Sequence, residues 1–441
     1  MRTARQLAAL ALLVLAGAPG ARGQDRPAIV IDPGQARLYG VALQRFAAGS
    51  ASAGKVGAFR EQIAKGLEFS SVFRVTDPKA YLGPETTVSL DGNPPVCTDW
   101  SSIGSDALVE GTLQTDPTQF RVEFRVWDTT RCKSLLRKSY QQPATADTAM
   151  LARRIADDVV AAFVGVRGVS ATEIAFVSNR GGSSEIFVMN ADGSNARAAT
   201  ANRSINTFPS WSASGESILY TSYRYANKPL LFVSTRGRGK PGRVLGKLGD
   251  KMPLYRGVFA PLGPKMAVVM SNGDVAEIYT VGTDGSDLKR LTNNRAIDVS
   301  PSWSPDASRI AFVSDRSGSP QIYLMNADGS DQRRITYQGS YNTNPAWSPD
   351  GRWIAYETRL EGQFDIWLID PGGGANVPLI SNPRNDEAPS WAPNGRKLAF
   401  SSTRRGRADI YVADLAGGEN PLRLTENAGN NTSPSWGPFP R

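Results

Sequence analysis

PSWSPD, at residues 301–306, recurs along this chain in a form that decides the fold. Related strings are PSWS at 209–212, PAWSPDG at 345–351, PSWAPNG at 389–395 and PSWGP at 434–438. The tryptophans from Trp303 to Trp436 stand 44, 44 and 45 residues apart. The 92 residues between Trp211 and Trp303 hold one degraded copy, GVFAPLG, with Phe259 at the tryptophan position. A fixed period of this length indicates a repeat architecture.

Each repeat contains four short segments typical of strands. The second segment is apolar and occurs six times, at 174–178, 218–222, 266–270, 310–314, 354–358 and 398–402. The third alternates, as in QIYLMNADG (321–329), and the fourth is a short outer segment such as LKRLT (288–292). Asp-Gly between alternating runs marks a hairpin, because glycine accepts the positive φ of that turn. Four strands in about 44 residues form the blade of a β-propeller.

The two ends of the array share one repeat. The first apolar segment (174–178) has no tryptophan strand before it, whereas PSWGP at 434–438 has nothing after it. The C-terminus therefore supplies the missing inner strand and closes the ring. We predict a mainly β fold, with a six-bladed β-propeller at residues 172–441. We interpret the tryptophans as wedges that bury apolar area between blades, rather than as ligand-stacking platforms.

The composition excludes several classes of enzyme. Among 441 residues there is no histidine and there are two cysteines, so the Ser-His-Asp triad and histidine-containing zinc sites are absent. We expect no metal site and no cofactor. The formal charge of +9 comes from 50 basic and 41 acidic residues. The arginines are scattered through turns, so we expect no nucleic-acid binding and some attraction for an acidic partner.

The first 23 residues are typical of a secretory signal peptide. Arg2 and Arg5 precede an apolar run from Leu7 to Ala18, and small residues then stand at −3 and −1 of a cut before Gln24. The apolar run is too short to span a bilayer, which takes about 20 residues. We expect an exported protein without direct membrane insertion.

Residues 24–165 have a different rhythm and predict a small α/β domain, joined to the propeller by a linker at 166–171. Segments 28–31, 38–47, 106–111, 120–127 and 134–140 read as strands, and segments 56–69 and 144–164 read as helices. Cys97 and Cys132 are the only cysteine pair. Export favours a disulfide between them, and two free buried thiols are the alternative.

Two patterns in this domain resemble a nucleotide-binding loop and a Ser–Lys nucleophile, but neither is specific. The stretch 49–55, GSASAGK, matches a phosphate-binding loop, but Val56 stands where Ser or Thr must hold magnesium. Ser52 and Lys55 form an SxxK pattern inside the same Gly/Ser-rich loop. We predict neither nucleotide binding nor a Ser–Lys nucleophile.

The domain order and several motifs resemble the TolB family, the periplasmic component of the Tol–Pal system. The resemblance rests on DALVEGTLQ (106–114), ARRIADDVV (152–160), VSATEIAFVSNR (169–180) and the PxWSPDG blades, and it covers essentially the whole mature chain. It implies a periplasmic protein that is not an enzyme, maintains outer-membrane integrity and helps draw the outer membrane inward during division. We expect a monomer.

The resemblance implies two protein partners. A Pal-like peptidoglycan-associated lipoprotein would bind the propeller, and a TolA-like inner-membrane protein would bind the extreme N-terminus. The matching N-terminal stretch is 24–34, QDRPAIVIDPG. An ordinary first strand is the alternative for Ile29–Ile31. The implied contact residues are Gln24, Asp25, Arg26, Pro27, Ala28, Ile29, Val30, Ile31 and Asp32.

The repeat predicts where a partner docks on the propeller. Loops from outer to inner strands share a face with loops after the second strand, where an S/T-x-R-like pattern recurs. We expect these polar groups to surround one channel mouth, where arginine suits bidentate capture of carboxylates; pairing of each arginine within its own blades is the alternative. The predicted residues are Arg180, Asn206, Arg224, Arg316, Asn344, Arg359, Asp386, Glu387, Arg404 and Asn431.

One blade departs from the pattern of the repeat. In the second blade a basic segment, STRGRGKPGR at 234–243, replaces the hairpin after the third strand.

Two other functions stay open for this chain. A glycosidase could work with paired carboxylates alone. A small-molecule sensor could hold its ligand in the channel.

Overall fold

The computed structural model describes residues 38–44, 46–48, 53–82, 90, 94–225, 228–236, 241–273, 275–360, 362–415, 420–426 and 429–440. The predicted signal peptide, the N-terminal segment 24–34 and the loop 49–52 lie outside these residues. Within them, no helix is both long and apolar enough to cross a membrane.

The N-terminal domain is a mixed sheet with two long helices on one face. Strand order is β3-β1-β4-β5-β6, with β2 beside β4; β1 runs parallel to β3 and β4, and β4 to β6 form an antiparallel meander. The elements are β1 (Tyr39–Leu43), β2 (Ala47–Ala48), α1 (Ala53–Phe69), β3 (Phe73–Val75), a 3-10 turn (Pro78–Ala80), α2 (Cys97–Ser102), β4 (Ala107–Thr115), β5 (Gln119–Asp128), β6 (Lys133–Pro143) and α3 (Thr148–Val164).

The apolar faces of α1 and α3 make the core of this domain. Ile63 of α1 and Ile155 and Val159 of α3 are fully buried against Val122 and Val126 of β5. Helix α3 begins after Asp147, whose carboxylate accepts hydrogen bonds from the next turn. The predicted α/β domain is confirmed, although the short β3 and α2 had no sequence signal strong enough to predict them.

A disulfide joins α2 to the turn between β5 and β6. Cys97 and Cys132 have their sulfur atoms bonded and their Cα atoms 5.6 Å apart. The bond anchors α2, whose Trp100 also packs edge-to-face on Tyr81 with the ring centroids 4.9 Å apart.

The propeller has six four-stranded antiparallel sheets, so the predicted fold class is confirmed. The first blade pairs the C-terminal strand with the first propeller strands, in the order β30-β7-β8-β9. The elements are β7 (Glu173–Ser178), β8 (Glu185–Asn190), β9 (Arg197–Ala198), β10 (Asn206–Trp211), β11 (Ser217–Ser222), β12 (Leu230–Thr235), β13 (Gly242–Arg243), α4 (Gly246–Lys251), β14 (Leu254–Phe259), β15 (Lys265–Ser271), β16 (Ala276–Gly282), β17 (Lys289–Arg290), β18 (Asp298–Trp303), β19 (Arg309–Ser314), β20 (Gln321–Asn326), β21 (Arg333–Arg334), β22 (Asn342–Trp347), β23 (Ile354–Leu360), β24 (Gln363–Ile369), β25 (Asn376–Ile380), β26 (Asp386–Trp391), β27 (Lys397–Ser402), β28 (Asp409–Asp414), β29 (Leu422–Arg423) and β30 (Asn431–Trp436).

The second blade keeps its outer hairpin, so the expectation that segment 234–243 replaces it was wrong. Gly242 pairs with Val233 and Arg243 pairs with Phe232. Two residues of backbone pairing are enough for an outer strand, because its side chains face solvent and the sequence there is free to vary.

The two domains meet at one end of the first and sixth blades. Lys397 of β27 is buried and donates hydrogen bonds to Asp414 at 2.7 Å and to Ser71 of the N-terminal domain at 2.8 Å. The Asn394 amide donates to the carbonyl of Arg167 at 3.0 Å. Lys397 begins the second strand of its blade and Asn394 lies in the turn before it, so these contacts are at the end of the propeller where inner strands finish. The opposite face, where inner strands begin, is clear of these contacts with the described part of the N-terminal domain.

Asp157 of α3 fastens the linker between the domains. Its carboxylate accepts the backbone N–H groups of Ser170 at 2.7 Å and Ala171 at 3.0 Å. Gly168 packs so tightly on it that a Cβ would lie 2.4 Å from the Asp157 carboxylate oxygen. Burial raises the pKa of Asp157 from 3.8 to about 6, although these hydrogen bonds lower it.

Asp157→Asn should change how stability depends on pH. Because the pKa of folded Asp157 lies above its unfolded value, the folded state retains a proton between about pH 4 and pH 6, and stability falls as pH rises through that window. The free energy of unfolding of the unsubstituted protein, minus that of the variant, should fall by up to about 3 kcal/mol from pH 4 to pH 7. Urea unfolding followed by tryptophan fluorescence measures it, and parallel pH profiles would contradict the assignment.

Candidate functional site

The inner strand of each blade carries the residues nearest the channel. In five blades the third residue of this strand has a positive φ, between 48° and 55°, a proline follows, and the ladder to the second strand shifts register. Such a bulge re-aims a side chain, and four of these five residues line the central cavity. The five residues are Phe208, Ser300, Asn344, Ala388 and Ser433.

The inner strands enclose a central cavity of about 510 Å³, lined largely by prolines and tryptophans. Three of the five inner-strand indole N–H groups donate hydrogen bonds, and those of Trp303 and Trp347 have no partner within the described residues. Trp391 donates to the carbonyl of Ala346 in the preceding blade at 2.9 Å, and Trp211 donates to the carbonyl of Ser435 at 3.0 Å. These bonds support the interpretation of the tryptophans as wedges between blades.

Three of the predicted arginines are tied into their own blades. Arg316 donates from Nε to Ser314 at 2.8 Å and from Nη2 to the fully buried carboxylate of Asp298 at 3.1 Å. Its guanidinium also lies over the rings of Phe312 and Tyr323, at 5.5 and 4.9 Å. The serine two residues before the arginine is thus a structural part of the S-x-R pattern.

The same arrangement recurs in the sixth and first blades. Arg404 donates to Ser402 at 2.8 Å and to Asp386 at 3.0 Å. Arg180 donates to Ser178 at 3.0 Å and to the amide oxygen of Asn431 at 3.3 Å. These side chains therefore satisfy buried polar groups of their own sheets.

The remaining two arginines have no carboxylate within 4 Å among the residues that the structure describes. Arg224 lies over the rings of Tyr225 and Phe232, at 4.9 and 4.1 Å. Arg359 lies 5.9 Å from the Phe364 ring centroid, and its Nε contacts the carbonyl of Gly362 at 3.4 Å. Neither lines the central cavity.

The predicted residues at the start of the inner strands join neighbouring blades. Asn206 donates to Glu185 of the first blade at 2.9 Å, and Asn431 donates to Asp409 of the sixth blade at 3.1 Å. Both asparagines are fully buried, as is Asp386. Of the ten predicted residues, Asn344 lines the central cavity and the other nine lie outside its lining. The sequence repeat fixes a residue's place in its blade, but not the direction of its side chain.

Glu387 differs from its neighbours in being half-buried beside other carboxylates. Burial is the main cause that raises its pKa, and the carboxylates of Glu357 and Asp386 raise the pKa further. Burial likewise raises the pKa of Asp386, against the effect of Ser402 and Arg404. Across the described ranges, no group of three or more acidic or cysteine side chains is arranged to hold a metal ion.

Sequence reasoning missed Arg256, which lines the cavity from the third blade. Its Nη1 donates to Ser300 at 3.0 Å and to Asn344 at 2.9 Å, so it bridges to the next two blades. Its guanidinium lies 5.1 Å from the Phe208 ring. Burial lowers the pKa of Arg256 to about 10, with Glu357 opposing the shift, so the group is charged at neutral pH. The sequence does contain a feature that distinguishes Arg256. Its inner strand reads LYRGVF, with Arg-Gly where the other inner strands have a small or apolar residue followed by proline.

Apolar side chains surround the start of the inner strands on the same face. Six of them are 38–54% exposed, although aromatic and aliphatic side chains of this size are usually buried. We call this group the apolar rim. A cluster of exposed apolar groups bordered by polar ones marks an interaction surface. The rim consists of Ile205, Phe208, Tyr225, Tyr255, Ile297 and Tyr341.

The structural use of Arg316 leads to a stability prediction. Arg316→Ala should lower the free energy of unfolding by about 3 kcal/mol, because the Asp298 carboxylate would stay buried without its cation. Arg359→Ala is the matched control, since it removes an equivalent arginine that has no carboxylate partner in the described part of the chain, and should cost about 1 kcal/mol or less. Urea unfolding of both variants measures the difference, and equal losses would contradict the structural role.

Two family models match the chain. The TolB amino-terminal domain matches residues 27–135, and the TolB beta propeller domain matches residues 160–440. Together they account for both domains described above.

Relatives and solved structures agree with these matches. The Tol-Pal system protein TolB of Anaeromyxobacter dehalogenans (strain 2CP-1 / ATCC BAA-258) is 35% identical over 302 residues, which is 68% of either chain. The protein of the same name from Bordetella pertussis is 32% identical over 216 residues, which is 48% of either chain. The crystal structure of TolB from Acinetobacter baumannii has a TM-score of 0.77 at 22% identity, covering 91% of this chain and 97% of that one. With a propeller model over more than half of its length and a relative above 30% identity over two thirds of both chains, this chain belongs to the TolB family.

Proposed function

We propose that this chain is a periplasmic protein-binding scaffold of a Tol–Pal system. In this proposal the propeller binds a Pal-like lipoprotein of the outer membrane, and segment 24–34 binds a TolA-like protein of the inner membrane. The link serves outer-membrane integrity and envelope constriction during cell division. The protein acts as a monomer and catalyses no reaction. The relatives carry the name Tol-Pal system protein TolB, which supports a role in that system.

The apolar rim is the observation that carries the proposal for the propeller. It lies on the face opposite the contacts with the N-terminal domain, so a partner reaches it without displacing that domain. Protein interfaces are enriched in aromatic side chains at their centre, and three tyrosines and a phenylalanine belong to the rim. The predicted polar residues then act at this face mainly by holding its backbone in place.

The arrangement of carboxylates speaks against the glycosidase alternative. Glycoside hydrolysis needs two carboxyl groups facing the same bond. The Glu357 carboxylate accepts hydrogen bonds from Thr343 and Asn344, both at 2.7 Å, and Asp386 is paired with Arg404. Glu387 itself is not among the described residues that line the cavity.

Rim substitutions should weaken capture of the lipoprotein. Ile297→Ser combined with Tyr341→Ser removes two anchors and should raise the Kd for the soluble domain of the Pal-like lipoprotein from the same organism by about tenfold or more. Leu422→Ser is the matched control, because Leu422 is similarly exposed, at 51%, on the outer strand β29. Calorimetry measures both. Unchanged affinity in the double variant, with the unsubstituted protein binding, would place the lipoprotein elsewhere.

Removal of residues 24–34 tests the second partner separately. The mature chain should recover both a Pal-like and a TolA-like protein from the envelope fraction, and the truncated chain only the former. Binding of the lipoprotein should also change hydrogen exchange in 24–34, because coupled sites act on each other reciprocally. Identical exchange with and without the lipoprotein would contradict the coupling and leave both binding sites standing.

A further inference from the structure

We propose that Arg256 forms a carboxylate-binding site in the propeller channel. The role deepens the function proposed above, since the carboxylate belongs either to an acidic side chain of the docked protein or to a free small molecule. The site lies on the wall of the 510 Å³ cavity, on the side that carries the apolar rim.

Arg256 is a desolvated cation without a counter-ion in contact. Among the residues that the structure describes, no carboxylate lies within 4 Å of its guanidinium, whereas Arg316 and Arg404 of the same face each have one. Removing a charge from water is costly unless it is paired. A ligand that brings a negative charge to this position therefore gains more here than at an exposed arginine.

The hydrogen bonds of Arg256 leave its donors available on one side. Nη1 is occupied by Ser300 and Asn344, while Nε and Nη2 have no acceptor within the described ranges. These two groups form the planar fork that matches both oxygens of a carboxylate.

Neighbouring groups hold the guanidinium in one orientation. Asn344 accepts from Arg256 and donates from Nδ2 to the Glu357 carboxylate at 2.7 Å, so its amide cannot turn round. The Phe208 ring, with its centroid at 5.1 Å, adds a cation–π contact. An arginine fixed in this way loses little further conformational freedom on binding.

The local charge favours a singly charged, planar group over phosphate or sulfate. Glu357 lies close enough to raise the pKa of Arg256, and its charge repels a dianion more than a monoanion. Among the described residues that line the cavity, which are largely proline, tryptophan and serine, Arg256 is the one charged side chain.

The third blade makes room for this arginine by departing from the repeat. Gly257 stands where most inner strands have proline, and a Cβ there would lie 2.8 Å from the Leu219 side chain and 3.0 Å from that of Leu231. Arg256 itself is not among the residues with positive φ. The Arg-Gly pair is therefore particular to the third blade, whose inner strand lacks the positive φ found at this position in the other five blades.

The test titrates the purified mature protein at neutral pH with sodium acetate, a singly charged carboxylate, using sodium chloride to keep ionic strength constant, and compares it with sodium sulfate. Acetate should raise the Tm of the unsubstituted protein in a saturable way, and sulfate should raise it less. Arg256→Gln should abolish the acetate effect. Arg384→Gln, which removes an exposed charge from the same face, should retain it. Arg256→Lys keeps the charge without the fork and should retain only a small part. Melting of each variant without ligand reports whether it folds.

A second arm uses the soluble domain of the Pal-like lipoprotein and distinguishes the two sources of the carboxylate. At least about tenfold weaker binding to Arg256→Gln, with Arg384→Gln unchanged, assigns the site to an acidic side chain of the partner. Loss of the acetate effect with unchanged lipoprotein affinity assigns it to a free small carboxylate. Equal acetate effects in the unsubstituted protein and Arg256→Gln, together with equal lipoprotein affinities, would overturn the site and leave the proposed function standing. Absence of lipoprotein binding to any variant would count against the proposed function alone, since the acetate arm judges the site independently.

Discussion

Backbone pairing between β30 and β7 closes the ring, and the other features of the propeller depend on that closure. Asn431 pairs with Ser178 and Trp436 pairs with Ile174, so the last strand of the chain completes the first blade. Closure leaves the ring without a free blade-to-blade edge, and it fixes the channel diameter because each inner strand is held by two neighbours. The Trp436 indole donates to Thr172 at 2.8 Å, which connects closure to the linker and, through Asp157, to the N-terminal domain.

Polar contacts between blades explain why residues that looked functional are buried. The first residue of an inner strand reaches the start of the third strand in the preceding blade, as in Asn206 to Glu185 and Asn342 to Gln321. A buried amide or carboxylate must be paired to avoid a desolvation cost of about 1–3 kcal/mol. A recurring polar residue in a repeat protein is therefore as well explained by the repeat interface as by a ligand.

The sequence was sufficient for the architecture and insufficient for the site. Period, turn residues and alternation are local properties, and they predicted six blades and both long helices of the N-terminal domain. The direction of a side chain at the channel depends instead on the bulge at the third inner-strand residue, where Asn344 and Ser300 take a positive φ. The repeat pattern does not indicate Arg256, because its strand matches the tryptophan repeat only as a degraded copy. The short α2 and β3 are set by the disulfide and by pairing with β1, which no periodicity reveals.

The chemistry of the rim face differs from what the basic composition suggests. Arg316 and Arg404 are paired with carboxylates of their own blades, and Arg180 donates hydrogen bonds to hydroxyl and amide oxygens. What the face offers a partner is apolar area with one desolvated cation at its centre. Exposed charges are screened by salt over about 8–10 Å, whereas apolar burial and a pair formed inside the channel are screened far less. In the proposed binding mode, recognition at this face follows from shape and from the position of a single carboxylate, whereas Arg180, Arg316 and Arg404 hold their own blades together.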